Sequence, residues 1–279
     1  MTPPTTPAST TLQFSLLLIA LTLVAYGPAL RGGFIWDDDD YVTENVNLRS
    51  AEGLSRIWLA PTASPQYYPI VFTTFWVEHQ LWGVGASGYH LVNVLLHATA
   101  ALLLWRVLKS LTVPGAYLAA CLFAVHPVHV ESVAWISERK NVLSAVFYFA
   151  AALAYVACYM PMPRSKNSHA ETPKPRSNLY LLSLLLFIAA LLSKTVTCSL
   201  PAALLLVMWW KHGRLTRGDI ASLAPFFLIG FVFAMFTVWL ERSHVLAVGP
   251  EWDLSLIDRL LLAARAIWFY ATKLIFPFG

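Results

Sequence analysis

Charged residues are scarce in this chain, and their scarcity argues against an ordinary soluble domain. Only 12% of the 279 residues are Asp, Glu, Lys or Arg, whereas a soluble globular domain carries about 25%. Hydrophobic residues make up 58% of the chain, and the mean hydropathy is +0.61. This composition indicates a membrane protein with several spans. The formal net charge of +4 is too small to indicate a nucleic-acid partner.

Cysteines and the common nucleotide-binding motifs are also scarce or absent. Cys121, Cys158 and Cys198 lie inside apolar segments without metal-ligand spacing, so free thiols are expected rather than disulfides or a metal site. The sequence contains no P-loop, no Rossmann glycine pattern and no serine-hydrolase elbow. The signals that remain are the apolar segments and a few polar clusters.

The chain is rich in apolar runs that are long enough to span or enter a bilayer, since a spanning helix needs about 20 mostly apolar residues. The predicted spans are residues 12–30, 89–108, 114–127, 141–160, 179–193, 196–210, 220–240 and 257–275. The predicted fold is therefore an all-α, polytopic transmembrane helical bundle with about eight spans. Residues 1–11, which are polar and rich in Pro and Thr, are expected to form a disordered tail before one membrane domain at 12–279.

The distribution of Lys and Arg predicts a cytoplasmic N-terminus, because basic residues collect in short cytoplasmic loops. The clearest cytoplasmic loop is residues 161–178, which has four basic residues to one acidic. We expect a bacterial inner membrane, or the endoplasmic reticulum in a eukaryote. A long first outer loop, about residues 31–88, has aromatic residues at roughly helical spacing, which predicts interfacial helices. Alternatively, its tryptophans belong to the aromatic belt at the membrane surface.

Four consecutive aspartates, Asp37 to Asp40, begin this outer loop. Side chains of adjacent residues point in different directions on either regular backbone, so at most two of the four can enter one site. Such a pair would suit a general base or a metal ion. The alternative is a solvated acidic turn.

A second polar cluster, "HPVHVESVAWISERKN", covers residues 126–141. Ionisable groups are costly in an apolar protein and suggest function. His126 and His129 with Glu131 are a weak candidate metal site. Arg139 and Lys140 are better suited to an anionic headgroup or phosphate. The alternative is an interfacial loop whose charged side chains reach back to water.

Two single basic residues and one polar stripe also lie within apolar segments. Lys194 is either a membrane-surface anchor or a partner of Arg139 in a phosphate site. Arg265, within the last predicted span, should face a cavity or a partner because its charge cannot face lipid cheaply. The stripe of His90, Asn93 and His97 along one helix is expected to form hydrogen bonds between helices.

Several segments in a fixed order resemble one known family. They are "WDDDDYVTEN", "YYPIVFTTFWVEHQLWG", "GYHLVNVLLHA", "FAVHPVHVESVAWISERKNVLSA" and "LLSKTVTCSLPAALLL". They look like the membrane part of the transmembrane and tetratricopeptide-repeat proteins and their bacterial relatives. That family is grouped with the protein O-mannosyltransferases, which have the GT-C fold. The resemblance covers nearly the whole chain from about residue 12.

The resemblance implies a GT-C-like glycosyltransferase that takes a mannose-like sugar from a polyprenyl phosphate. The acceptor would be a hydroxyl group, of protein Ser or Thr or of a glycan, on the periplasmic or lumenal face. The acidic pair of the family corresponds to Asp37 and Asp38, either of which would be the general base. No cofactor is firmly implied, and a divalent metal ion is left open.

The resemblance also extends to the basic and histidine positions. Arg139, Lys140 and Lys194 would stabilise the departing lipid phosphate. His126, His129 and Glu131 match the family motif but receive no individual role.

Members of this family usually continue into further spans and an array of tetratricopeptide repeats, so the chain is expected to be truncated at its C-terminus. Two alternatives to an enzyme stay open from the sequence. One is a transporter or flippase of a lipid-linked anionic substrate. The other is a non-catalytic membrane anchor or scaffold for a missing repeat region.

Overall fold

The computed structural model describes residues 8–159, 177–243 and 254–276, and the regular structure in these ranges is entirely helical. This confirms the all-α prediction. The α-helices of the described residues are α1 Ala8–Tyr26, α2 Ala51–Leu59, α3 Pro69–Trp82, α4 Ala86–Ser110, α5 Ala116–Val125, α6 Val130–Ala134, α7 Arg139–Tyr159, α8 Ser177–Leu191, α9 Leu200–His212, α10 Arg217–Ser243 and α11 Leu256–Ile275. Helix α1 begins at Ala8, inside the segment predicted to be a disordered tail; residues 1–7 lie outside the described ranges.

The eight predicted apolar segments are all helical, but fewer of them qualify as membrane spans. Within the described residues, four helices are long and apolar enough to cross a bilayer: α1 with the turn that follows it, α4, α7 and α10. A fifth span results if α5 and the helical segment Pro127–Ala134, which are bent by 50°, count as one. The expected number of about eight spans is therefore corrected to four or five among these helices.

Each of the remaining apolar segments falls short for a physical reason. Pro127 ends α5, because a proline lacks the N–H that would continue the helix. Helices α8 and α9 have 15 and 13 residues, which is less than a bilayer requires. Helix α11 does not qualify as a span, and it carries four charged residues, Asp258, Arg259, Arg265 and Lys273.

The helices run back and forth between two ends of the bundle. We call one of them the loop end; it consists of residues 32–85, 126–138 and 192–199. The backbone N–H of Ser137 donates to Asp38 and joins the first two of these segments. Lys194 of the third segment donates to Asn141 at the start of α7. The opposite end holds the short connections after α4 and α9, where Lys211 donates to Thr112.

The largest apolar core holds α4, α7, α8, α9 and α10 together. Among its fully buried side chains are Tyr155, Phe187 and Phe226 from three different helices. Polar groups add specific contacts between α4 and its neighbours, as predicted for Asn93 and His97 of the stripe on α4, whereas the buried ring nitrogens of His90 have no hydrogen-bond partner among the described residues. Asn93 donates to the carbonyl of Trp135, and a ring nitrogen of His97 lies 3.1 Å from the carbonyl oxygen of Ala124.

A separate apolar core anchors the first loop to the bundle. Phe72 and Phe75 of α3 are buried against Tyr89 of α4, and each such side chain contributes about 1.5–3 kcal/mol when fully buried. Ser50 caps α2 by accepting the N–H of Gly53. The helices predicted in this loop are therefore present as α2 and α3. Their location in the membrane plane stays a prediction.

Candidate functional site

The four aspartates at the start of the first loop differ sharply in their surroundings. Asp38 is completely buried, whereas Asp37, Asp39 and Asp40 are exposed. The carboxylate of Asp38 accepts the backbone N–H of Ile35 at 3.0 Å and that of Ser137 at 2.7 Å. Asp38 thus ties the first loop to the segment between α6 and α7. Asp37, which precedes it, keeps its carboxylate open to solvent.

Tyr41 lies one turn after Asp37, and its backbone N–H donates to the carbonyl oxygen of Asp37 at 3.0 Å. Burial raises the pKa of the Tyr41 hydroxyl above its usual range, and the charges of Tyr68, Glu138 and Asp37 raise it further. The hydroxyl therefore stays protonated, and it donates to Oε1 of Gln66 at 2.7 Å. Tyr41 therefore lies between the loop that carries Asp37 and Lys140, whose ammonium is 3.5 Å from its hydroxyl.

Beside Tyr41 lies a cluster that we call the two-lysine site: Lys140, Lys194, Glu138 and Asn141. The Lys140 ammonium is 2.8 Å from Oε1 of Glu138 and 3.5 Å from the Tyr41 hydroxyl. The Lys194 ammonium donates to Oδ1 of Asn141 and lies 4.0 Å from Oε2 of Glu138. The site therefore presents two ammonium groups, one carboxylate and one amide at the loop end.

The backbone explains why these groups converge. Lys140 and Asn141 belong to the first turn of α7, where the helix dipole places a partial positive charge. Lys194 lies in the break after α8, where its extended backbone interrupts the helix. Burial lowers the pKa of Lys194; the charge of Glu138 raises it and that of Lys140 lowers it. The arrangement favours an anion that offers one or two oxygen atoms to the two ammonium groups.

Arg139 does not share this site, although it is adjacent to Lys140 in sequence. Its guanidinium is completely buried and forms an ion pair with Glu78. It also donates to Oδ1 of Asn93 at 2.7 Å and to the carbonyl of Tyr89 at 2.9 Å. These bonds join α3, α4 and α7. The position of Arg139 argues against the predicted contact with a lipid phosphate.

The histidines of the second cluster make structural contacts. His126 accepts the N–H of Val128 at the start of the following turn, and its other ring nitrogen lies 3.0 Å from the carbonyl oxygen of Leu274. The His129 ring is 6.4 Å from that of His126, and Glu131 is exposed. Within residues 8–159, 177–243 and 254–276, no group of three His, Cys, Asp or Glu side chains is arranged to hold a metal ion.

Sequence reasoning also missed several residues of the site and of its support. Glu138 and Asn141 lie close to Lys140 in the cluster of residues 126–141. A carboxylate and an amide so near a lysine indicate that they could belong to the same site. Glu78 is the one acidic residue of α3, within an apolar stretch. Arg265, by contrast, was a candidate and lies exposed on α11, outside the cavity that Phe269, Tyr270 and Lys273 of the same helix line.

Comparisons with known proteins gave sequence relatives only. No family model and no solved structure matches the chain. The chain is 32% identical over 155 residues to the protein O-mannosyl-transferase F38B6.6 of Caenorhabditis elegans, which covers 50% of this chain and 22% of the relative. It is 28% identical over 177 residues to protein O-mannosyl-transferase TMTC4 of Mus musculus, covering 54% and 24%.

A longer match extends across most of the chain. It is 28% identical over 268 residues to protein O-mannosyl-transferase Tmtc2 of Drosophila melanogaster, which covers 91% of this chain and 27% of the relative. The chain thus spans about a quarter of the length of these curated relatives. The resemblance predicted from the motifs is confirmed: over half of its length or more, the chain is a relative of proteins named protein O-mannosyl-transferases.

Proposed function

We propose that this chain is the membrane domain of a GT-C-like glycosyltransferase. It transfers a mannose-like sugar from a polyprenyl phosphate to a hydroxyl group of a protein, at the loop end. One observation carries the proposal: Asp38 ties the loop that carries the exposed carboxylate of Asp37 to the segment that leads into Glu138 and Lys140 of the two-lysine site. The similarity to proteins named protein O-mannosyl-transferases supports a protein acceptor.

The proposed chemistry assigns the two adjacent aspartates different tasks. Asp37 accepts the proton of the acceptor hydroxyl, whose oxygen forms a bond to the anomeric carbon of the sugar. Asp38 is a positioning residue, because both of its carboxylate oxygens already accept backbone N–H groups inside the protein. Its tether holds the loop that carries Asp37 against the segment that precedes Lys140.

The leaving group requires positive charge on the other side of the anomeric carbon. As the bond between that carbon and the phosphate oxygen breaks, its electron pair stays on the phosphate. Lys140, Lys194 and the N-terminus of α7 stabilise this charge. Arg139 supports α7 from inside the bundle and does not touch the phosphate.

We further propose that the loop end faces the periplasm or the lumen. The opposite end carries a set of basic residues on short connections and on the helix ends beside them, as expected for a cytoplasmic surface. They are Arg106, Lys109, Lys211, Arg214 and Arg217. Most of the predicted cytoplasmic loop at 161–178 lies outside the described residues, and its four basic residues support this orientation from the sequence alone.

The proposal is tested by supplying liposomes that contain the chain with polyprenyl phosphate carrying labelled mannose and with a Ser/Thr-rich acceptor peptide. We expect labelled peptide from the lipid-linked donor and not from a nucleotide sugar. Lys140→Gln and Lys194→Gln should each lower kcat/KM about tenfold or more, since a charge-assisted hydrogen bond is worth about 1.5–3 kcal/mol. Lys211→Gln, at the opposite end, is the matched control. Donor that crosses the bilayer without labelling the peptide would instead indicate a transporter.

A further inference from the structure

Glu138 occupies the centre of the two-lysine site, where the proposed donor phosphate would bind. Its Oε1 is 2.8 Å from the Lys140 ammonium, and its Oε2 accepts from Nδ2 of Asn141 at 2.5 Å. The second lysine, Lys194, is 4.0 Å from Oε2. A carboxylate has the negative charge and the oxygen acceptors that a phosphodiester would offer to the same donors.

The two ion pairs at the start of α7 differ in how firmly they are held. In the pair of Arg139 and Glu78, the side chains are 0% and 5% exposed, and the guanidinium bonds to three further groups. In the pair of Lys140 and Glu138, they are 10% and 16% exposed, and Lys194 beside them is 26% exposed. Glu138 is therefore closer to solvent than Glu78, and a phosphate that displaced it would take over the ion pair with Lys140, which is itself largely buried.

Asn141 keeps Lys194 in place independently of Glu138. Its Oδ1 accepts from Lys194, while its Nδ2 donates to Oγ of Ser132 at 2.9 Å as well as to Glu138. If Glu138 moved away, the amide would retain both Lys194 and Ser132. The anion-binding geometry would then persist with a vacant position between the two ammonium groups.

We propose that Glu138 is a displaceable internal substitute for the donor phosphate. It offsets one of the two positive charges of the lysines while the site is empty, leaves when the donor phosphate enters, and returns to compete with the polyprenyl phosphate that remains after transfer. The return of its carboxylate thereby favours release of that product. This inference rests on the proposed function and adds to it a residue that controls product release.

If Glu138 only positioned the lysines, its removal would change the affinity for the anion in the opposite direction. A residue that only positions the lysines would, on removal, let the two ammonium groups repel each other and weaken anion binding. A competing carboxylate would, on removal, leave more positive charge for the phosphate and strengthen binding. The direction of the change in affinity therefore decides between the two roles.

The test is the binding of sugar-free polyprenyl phosphate to the chain in lipid nanodiscs, with wild type compared with Glu138→Gln. We expect about tenfold tighter binding in the variant, which corresponds to roughly 1.4 kcal/mol. In the transfer assay the variant should show stronger inhibition by polyprenyl phosphate and a lower kcat. Glu44→Gln, an exposed acid of the first loop, is the matched control and should bind like wild type. Equal or weaker binding in Glu138→Gln would overturn the inference.

A second variant keeps the inference testable if Glu138→Gln does not fold. Glu138→Asp keeps the charge but withdraws it by one methylene, so its affinity for polyprenyl phosphate should lie between those of wild type and Glu138→Gln. Unchanged or weaker affinity in this variant also counts against the inference. The same measurement separates the two proposals: if wild type binds no polyprenyl phosphate, the proposed function fails; if wild type binds and transfers but neither variant binds more tightly, only the role of Glu138 fails.

Discussion

Replacing Arg139 distinguishes a structural arginine from a phosphate ligand. In Arg139→Gln, the carboxylate of Glu78 stays almost completely buried and loses its ionic partner, and the carbonyl of Tyr89 loses a donor. Removal of one partner from a buried ion pair costs about 3–5 kcal/mol, because the remaining charge is left uncompensated. We therefore expect a destabilisation of that size.

Thermal unfolding in detergent micelles, followed by the fluorescence of the 11 tryptophans, measures this loss. Lys140→Gln is the adjacent control and should cost less, because the side chains of Lys140 and Glu138 are less buried than those of Arg139 and Glu78. The double variant Glu78→Gln with Arg139→Gln removes both charges. It should be less destabilised than the sum of the two single variants, since neither charge is then left buried alone.

The result that would refute this reasoning is specific. If Arg139→Gln unfolded at the temperature of wild type but bound polyprenyl phosphate at least tenfold more weakly, Arg139 would be a ligand of the phosphate. The contact between Arg139 and Glu78 would then be incidental to stability.

Three further predictions concern the tether, the pH dependence and the first loop. Asp38→Ala leaves the N–H groups of Ile35 and Ser137 without their acceptor; each unsatisfied buried group costs about 1–3 kcal/mol, and faster hydrogen exchange at both amides would show the loss. Because burial lowers the pKa of Lys194, its charge is lost as pH rises through that lowered pKa, so Lys194→Arg should shift the alkaline limit of kcat/KM to higher pH; an unchanged limit would contradict its role in binding. Gly53→Ala would place a Cβ 2.1 Å from a backbone oxygen and should lower the unfolding temperature, whereas Gly33→Ala, with open space around it, should not.

The positions of the helices could be predicted from the sequence because apolar runs and helices coincide in a membrane protein. The contacts of Asn93 and His97 were predictable for a similar reason, since polar groups on an apolar helix need partners. The number of spans could not be predicted from the sequence, because Pro127 bends one apolar run and because charged residues interrupt the last apolar run. Length and mean hydropathy alone do not reveal either effect.

The sequence does not predict that adjacent residues have different burial and different partners. Arg139 and Lys140 are neighbours at the start of α7, where successive side chains point in directions about 100° apart. One enters the core and the other the site, because Glu78 on α3 is there to pair with the arginine. Asp37 and Asp38 diverge in the same way, since the N–H of Ser137 is available to only one of them. Both partners are distant in sequence, and only the tertiary structure identifies them.

Transfer of labelled sugar by Asp37→Asn is the most direct test of the central claim, with Asp40→Asn as the exposed neighbouring control. Loss of the general base should lower kcat by about 10²–10⁴-fold, while binding of polyprenyl phosphate and thermal unfolding stay as in wild type. The control should transfer sugar at the wild-type rate. If Asp37→Asn transferred sugar as fast as wild type, the carboxylate of Asp37 would not be the base, and the proposed site would be wrong.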